Sequence, residues 1–280
     1  MNPGTPTGQG LKPYEDENRE IINYSDLRNN FIKWLKNRTS EDYTRQLVRY
    51  LDRFVGNTII QNSEDIIEIV ENSTSRKNII LALRNLVNYC EEIKVISSEK
   101  ANELRKVLKC VKSNPDGYIP SDEEIKTAFK RFDDEKYKIV FKLLAFSGLR
   151  IREAVEMLND FNENRLMING NIARYPLFSK RKTKKTYFAY MPKEFALELR
   201  KMNVTEQGVK NYFSRRELPA KYLRKWNYNF LILRGVPESV ADFIQGRASI
   251  TVGSMHYLAK VKQADEWYSR VADKLLSILT

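Results

Sequence analysis

Phe146-Ser-Gly-Leu-Arg-Ile-Arg-Glu-Ala-Val-Glu-Met-Leu158 carries one helix to its end and starts another. Upstream, Tyr137, Val140, Phe141, Leu144 and Ala145 recur at helical spacing until Gly148 breaks the pattern. Beyond Arg150 a new helical stretch runs to about Leu158. The texture then changes. Leu166-Met-Ile-Asn169, Ala173-Arg-Tyr-Pro-Leu-Phe178 and Thr186-Tyr-Phe-Ala-Tyr-Met191 are short runs rich in β-formers and read as two or three strands. The last two flank Ser179-Lys-Arg-Lys-Thr-Lys-Lys185, expected at the exposed tip of a hairpin. Helices resume after Pro192. Gly235 ends one of them, and Pro237 is expected to open the next in its first turn. The chain closes on an amphipathic helix carrying Trp267, Val271, Leu275 and Ile278.

Reading backwards from Phe146, Ser121 with Glu124 three residues on forms a capping box that starts a helix. The stretch from Lys112 to Pro120 is turn-rich, and a domain boundary is expected there. Before it, Leu27, Phe31, Trp34 and Leu35 share one helical face, followed by Leu47, Tyr50, Leu51 and Phe54 on another. Further helices are expected near 63–72, 75–94 and 97–109, so that 25–110 reads as an all-α bundle. Residues 1–20 are expected to be a disordered lead-in. The expected organisation is a helical domain over 21–112 and a second domain over 118–280. The fold class is mainly α with a small antiparallel β-sheet.

The 280 residues carry a net charge of +12, and the charge is local. From Arg165 to Arg234 there are 17 Lys or Arg against 4 Glu and no Asp, a balance of +13 that leaves the rest of the chain about neutral. Such a local field suits a polyanion, nucleic acid above all, better than general solubility does. His256 is the only histidine, which removes histidine metal sites and Ser-His triads from consideration. Cys90 and Cys110 have no metal or redox spacing and read as reduced thiols of a cytoplasmic protein. No apolar run is long enough to cross a membrane.

Two ordered patterns carry a family resemblance. Ser147-Gly-Leu-Arg150, with Glu153 three residues later, resembles the first signature of tyrosine recombinases, the phage integrase family. Lys221-Tyr-Leu-Arg224, then Gly235-Val-Pro237, then Gln245-Gly-Arg247 and finally Tyr257 are similar to that family's second box, its Gly-x-Pro helix, its Leu-Gly-His turn and its nucleophilic tyrosine. The resemblance spans roughly 120–280, and the helical front domain suits the family's core-binding domain. Lys221 stands where most members have histidine, and Arg247 where they have histidine or tryptophan. That set looks like the integrases of archaeal viruses and plasmids, the fusellovirus type, and sets the chain apart from bacterial Xer and phage lambda enzymes.

The resemblance implies a recombinase that cleaves and rejoins duplex DNA through a 3′-phosphotyrosine on Tyr257. Arg150 and Arg224 would be the catalytic arginines and Lys221 and Arg247 further phosphate donors. Lys182 or Lys184, at the hairpin tip, would be the general acid. The chemistry suits these residue types. A phosphodiester repels nucleophiles, and attack builds charge on its non-bridging oxygens. Arginine presents a planar fork of donors that keeps its charge. A phenol with a free pKa of about 10 is helped to ionise by neighbouring cations. Neither metal nor nucleotide is required, because bond energy is retained in the covalent intermediate.

Lys180, Arg181, Lys185, Arg215, Arg216 and Lys225 are expected to bind DNA, with Lys33, Lys36, Arg38, Arg45 and Arg49 on the front domain as weaker candidates. The implied partner is duplex DNA with specific attachment sites, bound by a homotetramer that is a monomer or dimer when free, with no membrane partner. The helix beyond Tyr257 would dock on a neighbouring protomer or pack at home. Tyr268 is the fallback nucleophile. Two other functions share these features: relaxation of DNA by a type IB topoisomerase, and DNA binding without cleavage.

Overall fold

Two separate hydrophobic cores form, and the chain divides between them at Pro115 and Asp116. The computed structural model describes residues 20–110, 114, 116–177, 186–247 and 254–280, the last stretch with side chains from 259 onward.

The first unit holds β1 (Ile22–Asn23), α1 (Tyr24–Lys36), α2 (Glu41–Phe54), β2 (Ile59–Ile60), α3 (Ser63–Glu71), α4 (Arg76–Glu92) and α5 (Ser98–Val107). The side chains of Ser40 and Ser97 accept backbone N–H groups at the starts of α2 and α5, and Asn62 with Asp65 forms a full capping box on α3. Phe31, Leu35, Leu51, Leu83 and Leu86 fill the core. The all-α expectation for this unit needs one correction. β1 and β2 pair antiparallel, with Ile22 opposite Ile60. Strands of two residues are too short to show an alternating pattern, so only the tertiary contact reveals them.

The second unit runs through α6 (Asp122–Lys130), α7 (Glu135–Ser147), α8 (Ile151–Asn159), β3 (Met167–Asn169), β4 (Ile172–Pro176), β5 (Phe188–Pro192), α9 (Lys193–Glu198), α10 (Glu206–Arg215), α11 (Lys221–Leu233), α12 (Glu238–Ile244) and α13 (Ser254–Ile278). The expected capping box of Ser121 and Glu124 is present on α6. Gly148 ends α7 in the left-handed conformation, φ +61°, which a side chain would strain. Pro237 sits at the cap of α12, one position ahead of its first turn. The three strands form one antiparallel sheet in the order β3-β4-β5, with Ile172 opposite Pro192 and Pro176 opposite Phe188. Leu177 extends the β4–β5 pairing by donating its N–H to Tyr187 O at 2.9 Å. The lysine-rich segment expected at a hairpin tip, including Lys180, Arg181, Lys182, Lys184 and Lys185, lies outside the described residues.

β5 packs between α7 and α13, and α11 lies along α7. The apolar face of α13 packs at home. Val261, Ala264, Tyr268, Val271, Ala272 and Leu275 are buried in it, whereas Trp267 and Ile278 are only partly covered. A polar seam fixes the same helix to the β3–β4 hairpin: Arg174 pairs with Asp265, and Asn171 donates to Asp273 Oδ1 at 2.9 Å.

Candidate active site

Arg150 follows the Gly148 turn by two residues and caps the N-terminus of α8. Glu153, one turn into that helix and 5% exposed, reaches back to it. Its Oε2 accepts the Arg150 backbone N–H at 2.9 Å, and its Oε1 accepts Nη1 at 2.7 Å. Thr186, buried at the start of the strand region that leads into β5, donates its hydroxyl to the same Oε1 at 3.1 Å. The remaining end of the guanidinium, Nη2, donates to Gly246 O at 3.4 Å.

Arg224 reaches the same turn from another direction. It lies one helical turn into α11, donating Nη1 to Gly148 O and Nη2 to Gln245 O at 2.7 Å. The two guanidinium groups therefore rest on consecutive carbonyls, those of Gln245 and Gly246. Burial, and then the neighbouring Arg150 charge, lower the Arg224 pKa to about 10, with Glu153 opposing and Arg247 adding to the fall. It remains protonated at neutral pH. Arg247 itself is exposed, donates Nε to Gln245 Oε1 at 3.0 Å and lies over the Tyr228 ring at 4.1 Å. Arg224 thus feels two neighbouring cations, Arg150 and Arg247, and the opposing carboxylate of Glu153. Such a site favours an anion.

Two buried amides support this turn. Gln245 donates Nε2 to Arg224 O at 3.0 Å and to Asn227 Oδ1 at 2.7 Å, and Asn227 donates Nδ2 to Ala145 O and Phe146 O at the end of α7. Space around them is tight. A Cβ on Gly148 would fall 2.3 Å from Gln245 Nε2, and one on Gly246 would fall 2.2 Å from Thr186 Oγ1.

Residues 117–274 match the family model described as archaeal phage integrase. The chain belongs to this family. Among solved structures, a lambda integrase tetramer bound to a Holliday junction superposes with a TM-score of 0.62 at 14% identity, covering 89% of this chain and 84% of that one. A lambda integrase dimer bound to a COC′ core site gives 0.63 at 13% identity, covering 92% and 82%. No curated protein matches the chain. The fold of the integrase is that of the tyrosine recombinases, as the ordered motifs implied, and its family makes it a site-specific recombinase.

Of the residues singled out in the sequence, the structure of the integrase brings Arg150 and Arg224 together, with Arg247 joined to them through Gln245. Lys221 is elsewhere engaged. Its exposed ammonium pairs with Asp116 at 2.8 Å, and Lys225 pairs with the same carboxylate at 3.3 Å while donating to Tyr118 O. Arg215 is exposed at the end of α10. Arg216 stacks on Tyr212 at 3.5 Å, pairs with Asp133 and donates to Arg131 O, contacts that brace the end of α10. Tyr268 corrects an expectation. It is fully buried, its hydroxyl donates to Phe146 O at 2.8 Å, and burial pushes its pKa well up, which makes it a core residue. Tyr257 lies in the first turn of α13, and its side chain is outside the described residues.

Sequence reasoning passed over Thr186, Asn227 and Gln245. The available signal was polarity out of place: Asn227 interrupts the apolar stripe of Leu223, Trp226, Phe230 and Leu231, and Gln245 follows Phe243 and Ile244. Among the described residues no cluster of His, Cys, Asp or Glu could hold a metal, and no helix is long and apolar enough to cross a membrane.

Proposed function

We propose that the integrase cuts and rejoins duplex DNA at specific attachment sites, with Tyr257 as nucleophile. The observation that carries this reading is the pair of guanidinium groups on consecutive carbonyls of the turn that precedes the Tyr257 helix. A scissile phosphate held there would place its two non-bridging oxygens against Arg150 and Arg224, whose mutual repulsion it would relieve. The Tyr257 phenolate oxygen attacks phosphorus, the P–O5′ bond breaks, and the departing 5′-oxygen takes a proton from Lys182 or Lys184. Attack of a 5′-hydroxyl on the phosphotyrosine reverses each step, returns its proton to the lysine and releases the phenolate. Arg247 adds a donor from its place on Gln245. Lys221 adds another once it leaves Asp116.

The basic run from Arg165 to Arg234 supplies the attraction for DNA, with Lys180, Arg181, Lys185, Arg215, Arg216 and Lys225 as its contacts. The first unit serves as the core-binding domain and the second as the catalytic one. Lambda integrase forms a dimer on a core site and a tetramer on a Holliday junction. We assign this chain a homotetramer on paired sites in the cytoplasm, monomeric or dimeric when free.

The test is covalent capture. Protein incubated with a library of nicked suicide duplexes of random sequence should yield detergent-resistant adducts enriched for one site and attached at Tyr257. Tyr257→Phe should give no adduct while retaining DNA affinity. Adducts that persist in Tyr257→Phe would remove the nucleophile assignment, and wild-type protein that captures nothing would remove the reading as a whole. Relaxation of supercoiled plasmid without a preferred site would indicate a topoisomerase instead.

A further inference from the structure

Gln245 and Asn227 are both completely buried, and both amides are fully used. The two hydrogens of Gln245 Nε2 go to Arg224 O and Asn227 Oδ1, and its Oε1 accepts from Arg247 Nε. The two hydrogens of Asn227 Nδ2 go to Ala145 O at 2.8 Å and Phe146 O at 2.9 Å. Neither amide tolerates a flip. Turning Gln245 over would set its oxygen against Arg224 O and its nitrogen against the Arg247 donor. Arg224 and Gln245 also hold each other crosswise, since the arginine side chain donates to the glutamine's backbone carbonyl and the glutamine side chain to the arginine's.

This chain of bonds joins three places: the end of α7, which leads through Gly148 to Arg150; α11, which carries Arg224; and the turn after α12, which carries Arg247. The amides press directly on the Gly148 backbone, as the 2.3 and 2.5 Å approaches of a hypothetical Cβ to Gln245 Nε2 and Asn227 Oδ1 demonstrate. Apolar side chains would fill the same space without fixing a distance. Buried amides are costly unless every group is paired, and a fully paired set admits one arrangement.

We propose that Gln245 and Asn227 are positioning residues that set the separation of Arg150 and Arg224 and aim Arg247 at the scissile phosphate. The proposal rests on the reading of the two arginines as a phosphate clamp. Its effect is on the transition state, where the non-bridging oxygens gain charge, and not on the affinity for DNA.

The test compares strand scission of a duplex recovered by the covalent capture above with that of the same duplex carrying a neutral methylphosphonate at the scissile position. Gln245→Met keeps the volume and removes every hydrogen bond of the amide. It should slow single-turnover scission of the phosphodiester by about 10- to 100-fold, the scale of a small misplacement of catalytic groups. DNA affinity should stay within about threefold of wild type, because one phosphate contact among many is affected. On the methylphosphonate, where there is less charge for the arginines to neutralise, the gap between variant and wild type should narrow. Gln245→Glu keeps the acceptor for Arg247 and loses both Nε2 donations. It should show the same narrowing, and it is the variant to use if Gln245→Met does not fold. A wild-type rate in either folded variant, or an equal defect on both linkages, overturns the assignment while wild-type scission stands. Wild-type protein that cleaves nothing overturns the recombinase reading and this inference with it.

Discussion

Glu153 holds Arg150 at both ends, taking its backbone N–H at 2.9 Å and its guanidinium at 2.7 Å. Because the carboxylate is buried, this pair does more than an exposed i,i+3 salt bridge would. It fixes the direction of Arg150 and offsets some of the charge that Arg150 and Arg224 impose on each other. Glu153→Gln should therefore lower scission about 10- to 100-fold with little change in DNA affinity. It should also lower the free energy of unfolding by about 1–3 kcal/mol. Single-turnover scission and denaturant melts measure the two effects. An unchanged rate would mean that Arg150 needs no anchor.

Arg150→Ala and Arg224→Ala each remove one donor group from the clamp. Each should reduce single-turnover scission by about 10²- to 10³-fold. The two losses should fall short of multiplying in the double variant, because the guanidinium groups act on one phosphate. Strict multiplicativity would show that they serve separate sites.

Gly148→Ala and Gly246→Ala test the turn beneath the arginines. Both glycines have positive φ, +61° and +62°, and both lack room for a methyl group. Strain in this region costs about 1–3 kcal/mol before any clash is counted. Both variants should unfold at lower denaturant concentration than wild type. Gly170→Ala, with φ +60° but open space around it, should suffer the strain alone and lose less.

Asp116 restrains two lysines that the proposed function assigns to DNA. Its hydrogen bond from Lys221 holds its carboxyl well below the usual carboxylate range. A carboxyl depressed in the folded state stabilises the protein above its ordinary pKa of about 3.9, and that contribution is lost as pH falls through the folded value. Asp116→Asn should flatten this acid-side loss of stability. It should also raise DNA affinity and steepen the salt dependence by about 1 to 2 in slope, since Lys221 and Lys225 become available to phosphates. Titration at several salt concentrations reads the result. Weaker binding by Asp116→Asn would show that the carboxylate arranges the lysines for DNA instead of withholding them.

The basic run from Arg165 to Arg234 predicts affinity that falls by about 10³ or more between 50 and 200 mM salt if six or more phosphates are neutralised. Fluorescence anisotropy with a duplex of unrelated sequence measures this without the attachment site. A flat response would remove the electrostatic role given to this segment.

The sequence by itself determined whatever depends on residues a turn or a pleat apart. The helix breaks at Gly148 and Gly235, the Ser121–Glu124 capping box and the short runs of β-formers all depend on neighbours within a few residues, so their signals lie in contiguous stretches. The ordered motifs also carried the family. Only the tertiary structure decided which cations share a site. Arg224 meets Gly148 across 76 positions and Arg150 meets Gly246 across 96, and no local pattern records such distances. Packing likewise turned Arg216 onto Tyr212, drew Lys221 to Asp116 and sank Tyr268 into the core, contacts that no local pattern around these residues records. Gln245 and Asn227 are the clearest case. A buried amide is tolerated only where partners surround it, and those partners come from three separate elements that folding alone brings together.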